Sequence, residues 1–214
     1  MSGALPEKDT TATRLVEAVA GDVLALVLPG SGTFVQVLRE YKKHKLDAAH
    51  EILIEEVRKG DRRLDDAEAD EFVPIAYRYF KAAQDGAANR NIRLLAKLIG
   101  QDIAKHDLRS DRFLSQEESI SNLSLEELIC LSVLIEDCRH SIKQTGRVPQ
   151  LKPDQFSSIK NKAIAEYPDH FQDESAVLSN FALLAGKGWV MPMTLSTYGG
   201  VVQPFTVLRT LSSG

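Results

Sequence analysis

Cysteine is scarce in this chain. Of its 214 residues only Cys130 and Cys138 carry thiols, so no disulfide framework can hold the fold. Eight residues of helix separate them by about 12 Å, whereas bridged Cα atoms lie within about 7 Å. Two unpaired thiols fit a reducing cytoplasm, which is the expected compartment. The first ten residues lack the basic and apolar regions of a secretory signal, so none is expected. Cations are not in excess either: 26 Lys and Arg face 30 Asp and Glu, for a net charge of −4. That argues against a chain-wide basic coat for nucleic acid. No apolar run is long. The longest, Leu15–Leu28, is interrupted by Glu17 and Asp22 and as helix would reach about 21 Å, short of a ~30 Å hydrocarbon core. A transmembrane span is therefore not expected, although contact with a membrane interface stays open for this run.

The motifs that mark common chemistries are missing too. There is no CxxC, HExxH or EF-hand spacing. There is no GxSxG elbow and no phosphate loop, since Pro29-Gly30-Ser31-Gly32 is followed by no lysine. His44 and His50 point to different sides of one helical pattern, and His106, His140 and His170 stand alone in sequence. The acids Asp65, Asp66, Glu68, Asp70 and Glu71 suit the start of a helix, whose N-terminus is partially positive. Cys130 and Cys138 have apolar and acidic neighbours, which do not activate a thiol. The chain is thus expected to be no enzyme, with no catalytic residue, no cofactor and no metal.

What is present is helical periodicity. Hydrophobic residues make up 43% and charged residues 26% of the chain, enough apolar surface for a core. Residues 1–12 read as a flexible N-terminus. Residues 13–123 read as a helical region that begins with a hairpin: Leu15–Leu28, the PGSG turn, then Thr33–Lys59 with Phe34, Val37, Leu38, Tyr41, Ala48, Ala49, Ile52, Leu53 and Val57 as its apolar stripe. Pro74 is placed near the first turn of the next helix. Further helices follow over Asn89–His106, Ser110–Ile120 and from Ser124, where Ser124 and Glu127 form a capping box. In that last helix Leu128, Leu131, Ile135 and Cys138 are expected inward.

The last stretch changes character. Pro153 opens a helix to Glu166, and Asp173 caps another to Lys187. Trp189–Leu195 and Val201–Leu208 are rich in β-branched and aromatic residues around the turn cluster 196–200, which predicts a hairpin with Trp189 buried at its base. The expected fold is therefore mainly α, with a C-terminal winged helix-turn-helix carrying one antiparallel β-hairpin over residues 124–214.

Two passages carry a resemblance. One is Arg90-Asn91-Ile92-Arg93-Leu94-Leu95-Ala96, followed by Leu123-Ser124-Leu125-Glu126-Glu127. The other is Leu178 to Val190, with its leucine helix, Gly188 and Trp189, and the later Tyr198 and Thr206. Over about 90–208 the chain resembles bacterial helical proteins of the abortive-infection alpha type. The resemblance implies a non-enzymatic bacterial protein linked to phage defence, with no catalytic residues to carry over.

Two interaction surfaces are expected. Leu24, Val27, Leu28 and Phe34, around the PGSG turn, would meet a protein partner or a second copy of the chain. Arg147, Lys152, Lys160 and Lys162 lie in a basic stretch that could grip a phosphate backbone, the alternative being a winged-helix DNA-binding regulator. Nucleic acid is the less favoured partner, because residues 174–187 and the wing 193–203 offer almost no cations, while phosphate contacts dominate DNA affinity.

Overall fold

A chain that starts its helices with reciprocal caps fixes their ends locally. Asp65 Oδ1 accepts the Glu68 N–H at 2.8 Å and Glu68 Oε2 accepts the Asp65 N–H at 3.1 Å, which opens α3 (Asp66–Gln84). The computed structural model describes residues 11–25, 33–59, 64–145, 151, 153–194 and 204–208. It divides into two compact units, Met1–Asn122 and Leu123–Gly214.

In the first unit, α3 is joined by α1 (Thr11–Ala25), α2 (Thr33–Lys59), α4 (Asn89–Lys105) and α5 (Ser110–Ser121). Its core centres on Phe72, Ile75, Tyr79 and Phe80 of α3, with Ile92, Leu95 and Ile99 of α4. Tyr79 buries its ring and donates its hydroxyl to the Ala49 carbonyl at 2.9 Å. α2 and α4 lie side by side and run the same way. Lys45 meets Asn89 at one end, and Gly100 approaches the Glu56 carbonyl at the other. A Cβ at Gly100 would stand 3.0 Å from that oxygen, so any side chain there would press α2 and α4 slightly apart. α4 ends on His106, whose φ of 57° is left-handed.

α1 carries the described part of the apolar run. Ala12, Val16, Val19 and Val23 are buried, while Arg14, Glu17, Ala18 and Asp22 are exposed. Over its described side chains, α1 is an ordinary amphipathic helix packed on α2 and α3. Thr11 and Ala12, expected in a flexible terminus, belong to it. Val37 and Tyr41 of α2, expected inward, are 60% and 52% exposed. Among the described residues of α2 full burial is first reached at Leu46, where α4 begins beside it. Pro74 lies in the interior of α3 rather than its first turn, because the capping box starts the helix well before it. Its missing N–H leaves one carbonyl of the preceding turn without its helical donor.

The second unit is built by α6 (Leu125–Thr145), α7 (Pro153–Glu166) and α8 (Glu174–Gly186), each packed on the other two. Phe156 and Phe181 meet edge to face at 5.2 Å between Cys130, Leu134, Ile159, Val177 and Leu184. Ile135 is 46% exposed. Leu131 and Cys138 are buried as expected and Leu128 packs against the core, which α6 also lines with Cys130, Val133 and Leu134.

The winged helix-turn-helix is corrected as well: the fold class is all-α. Among the described residues eight helices carry the architecture. β1 (Val190–Thr194) and β2 (Pro204–Leu208) run antiparallel with Val190 opposite Leu208. Val190 joins the described core; the side chains of the other strand residues lie outside the described residues. A two-stranded ribbon cannot sustain a fold alone, and here the helices supply the core. α8 completes the three helices of this unit. Its outer side bears Ser175, Ser179, Ala182 and Leu183, the last 56% exposed. Its terminal Lys187 folds back onto Glu127. Trp189 is half-buried rather than buried.

Candidate functional site

Three helices of the first unit enclose an open groove of about 440 Å³. α1 contributes Val19 and Asp22, α3 contributes Val73, Tyr77 and Arg78, and α5 contributes Phe113 and Leu114. Val19 and Phe113 form its buried floor, whereas Val73 and Tyr77 are each 39% exposed on its wall. The local reason is α3. Phe72, Ile75, Ala76 and Tyr79 turn into the core, which leaves Val73 and Tyr77, four residues apart, on a neighbouring face. α5 is held at the far wall by Glu71, whose Oε2 accepts the Ser110 N–H at 2.6 Å. That bond is the main cause of the lowered Glu71 pKa. The groove has the size of a ligand or peptide-side-chain site. Asp22 and Arg78 place one charge of each sign among its apolar lining.

The residues expected to form surfaces are placed as follows. Leu24 and Phe34 belong to α1 and α2, but their side chains lie outside the described residues, as do Val27, Leu28 and the PGSG turn. Arg147 and Lys152 also lie outside them. Lys160 pairs with Glu174 and sits over the Phe156 ring. Lys162 pairs with Glu136 at 2.9 Å and with Glu166 at 3.9 Å. Those two lysines are thus paired within their own unit.

Several reactive groups are engaged or buried. Burial, then the carboxylates of Glu127 and Glu126, pushes the Cys130 thiol up to about 12. Burial, then Asp137, pushes Cys138 up to about 11. His170 Nδ1 lies 3.2 Å from Glu126, and His106 Nδ1 lies 3.4 Å from Glu68. Asp65 and Glu68 are spent on the α3 cap. Among the described residues no group of three or more His, Cys, Asp or Glu side chains could hold a metal ion, and no helix is long and apolar enough to cross a membrane. The most buried acid is Glu127, 1% exposed. Its Oε2 accepts from the Ser124 N–H at 2.6 Å and from Lys187 Nζ at 2.7 Å. Its Oε1, and Nε1 of Trp189, are buried without a hydrogen-bond partner among the described residues.

The groove was not found from sequence. α1, α3 and α5 are not consecutive, so only their packing brings the walls together. No protein family, curated protein or solved structure matches the chain.

Proposed function

We propose that this chain is a non-catalytic interaction protein whose α1–α3–α5 groove receives an apolar segment of a protein partner. The observation that carries the reading is the groove itself, with Val73 and Tyr77 left open to solvent above a buried floor. Exposed aromatic and aliphatic anchors beside a pocket are what interface hot spots are made of. Asp22 and Arg78 would orient the entering segment by charge. The elevated thiols and the carboxylates already engaged in caps and pairs support a binding role over a catalytic one. The resemblance over 90–208 extends the proposal to a bacterial effector acting in phage defence.

A photo-crosslinking residue at Tyr77 tests the groove. Irradiation in the native host should give one discrete protein adduct, and Val73→Asp should abolish it while the helical circular dichroism persists. Absence of an adduct, or one indifferent to Val73→Asp, would overturn the reading. Phage plating efficiency with the wild type and Val73→Asp tests the extension separately.

A further inference from the structure

The solvent side of α4 carries charge of one sign. Arg90, Arg93, Lys97 and Lys105 are all exposed, and their spacings of three, four and eight residues place them on one side of the helix. Gln101 shares that side, as does Leu94, 37% exposed. The one acid of α4, Asp102, is held by Arg112 at 2.8 Å. Among the described residues none of the four cations forms an ion pair. The carboxylate of Glu55 on α2 borders them; Lys59 chiefly, and Arg93 and Lys97 more weakly, hold it below the usual range. In a chain of net charge −4, this is a local reversal of sign.

The N-terminal end of α4 adds to it. Ala88 provides no side-chain cap and the first turn contains no acid, whereas Asp65, Ser124 and Asp173 cap α3, α6 and α8. The open N–H groups and the partial positive charge of the helix end therefore act in the same sense as the side chains. Lys45, 3.4 Å from Asn89 Oδ1, brings a further cation to that end.

We propose that this face of α4 binds the phosphate backbone of duplex DNA without reading base sequence. It is a second surface, distinct from the groove. The rise from Arg90 to Lys105 is about 22 Å, along which a duplex displays about one phosphate charge per 1.7 Å of axis. A single strand calls for aromatic side chains along the bound backbone, and α4 itself has none; exposed Tyr41, with Lys45 over its ring, lies only beside the N-terminal end. A lipid surface calls for a broad apolar face, and Leu94 alone is too little.

The test uses the full chain and a fluorescein-labelled mixed-sequence duplex of about 24 base pairs, followed by anisotropy from about 30 to 200 mM salt. Four phosphate contacts predict that log K falls against log salt with a slope of about −3.6. Arg90→Gln/Lys97→Gln/Lys105→Gln should flatten the slope to about −1 and weaken low-salt binding at least about tenfold. These residues are exposed, so the thermal melt should hold. Arg90→Gln alone, which should remove about one unit of slope, is the fallback if the triple variant melts early. Lys160→Gln/Lys162→Gln should change neither. No binding at low salt, an unaltered triple variant, equal losses in both variants, or tighter binding to phosphatidylserine vesicles than to the duplex would each overturn the proposal.

Discussion

A carboxylate introduced at Val23 would be taken out of water. Val23 is 2% exposed on the face of α1 that packs within the first unit. Val23→Asp should therefore cost on the order of 3 kcal/mol, read as a lowered urea midpoint. A folded variant with an unchanged midpoint would contradict the burial. Glu127 presents the converse case, a carboxylate already inside. Lys187→Ala would leave that charge without its Nζ partner. The cost should be on the order of 2 kcal/mol, below the ~3–5 of a fully buried pair because Lys187 is 32% exposed. The two thiols give a third test at this scale. Both are buried and hold their protons at neutral pH, so a thiol-reactive dye should label the native chain slowly and the urea-unfolded chain at once. Rapid native labelling would show that α6 opens readily.

Helix ends are where these elements are most exposed to acid. Asp107 is lowered chiefly by its bond to Arg112, at 2.6 Å, and Glu71 by the Ser110 backbone. Both folded values lie below the unfolded ones of about 4. Their contribution is therefore present above pH ~4 and is lost as pH falls through the folded values. Urea midpoints should drop on acidification over that window, and less steeply in Asp107→Asn. At the start of α6, Ser124→Ala removes the hydroxyl that accepts the Glu127 N–H and should cost about 1 kcal/mol in the same assay. Such ends are the part of the fold that a sequence displays most openly. Ser124 with Glu127, Asp173 and Pro153 each mark a boundary through chemistry contained within four residues. Faces are harder. Ile135 has the right spacing to be buried and is not, because the neighbouring stripe through Cys130 and Leu134 was equally apolar and faces the core. Val37 and Tyr41 continue a good stripe past the point where α4 ends its cover. Pattern gives periodicity, whereas burial needs a partner.

At the scale of the molecule, the first unit gathers five helices around one described core, and Met1–Asn122 expressed alone should melt cooperatively with helical circular dichroism. A broad, non-cooperative melt would show that this core does not suffice. The C-terminal fold was misread for a related reason. The β-branched run after Gly188 promised a sheet that organises its domain, yet Phe156, Ile159, Phe171, Phe181 and Leu184 do the organising. The groove and the α4 ridge were equally hidden, the first because it spans non-consecutive helices, the second because a balanced total charge conceals local sign. One contact then governs what variation the chain can accept. Where α2 and α4 touch, the Glu56 carbonyl crowds any side chain at position 100. The roughly 1 kcal/mol that Ala ordinarily gains over Gly in a helix is set against that squeeze, and every larger residue must part the two helices. In a saturation library, α4 should therefore tolerate broad exchange along its outer side while position 100 stays almost empty of replacements. Glycine there makes the helix pair a fixed seam, and drift in this lineage would have to flow around it.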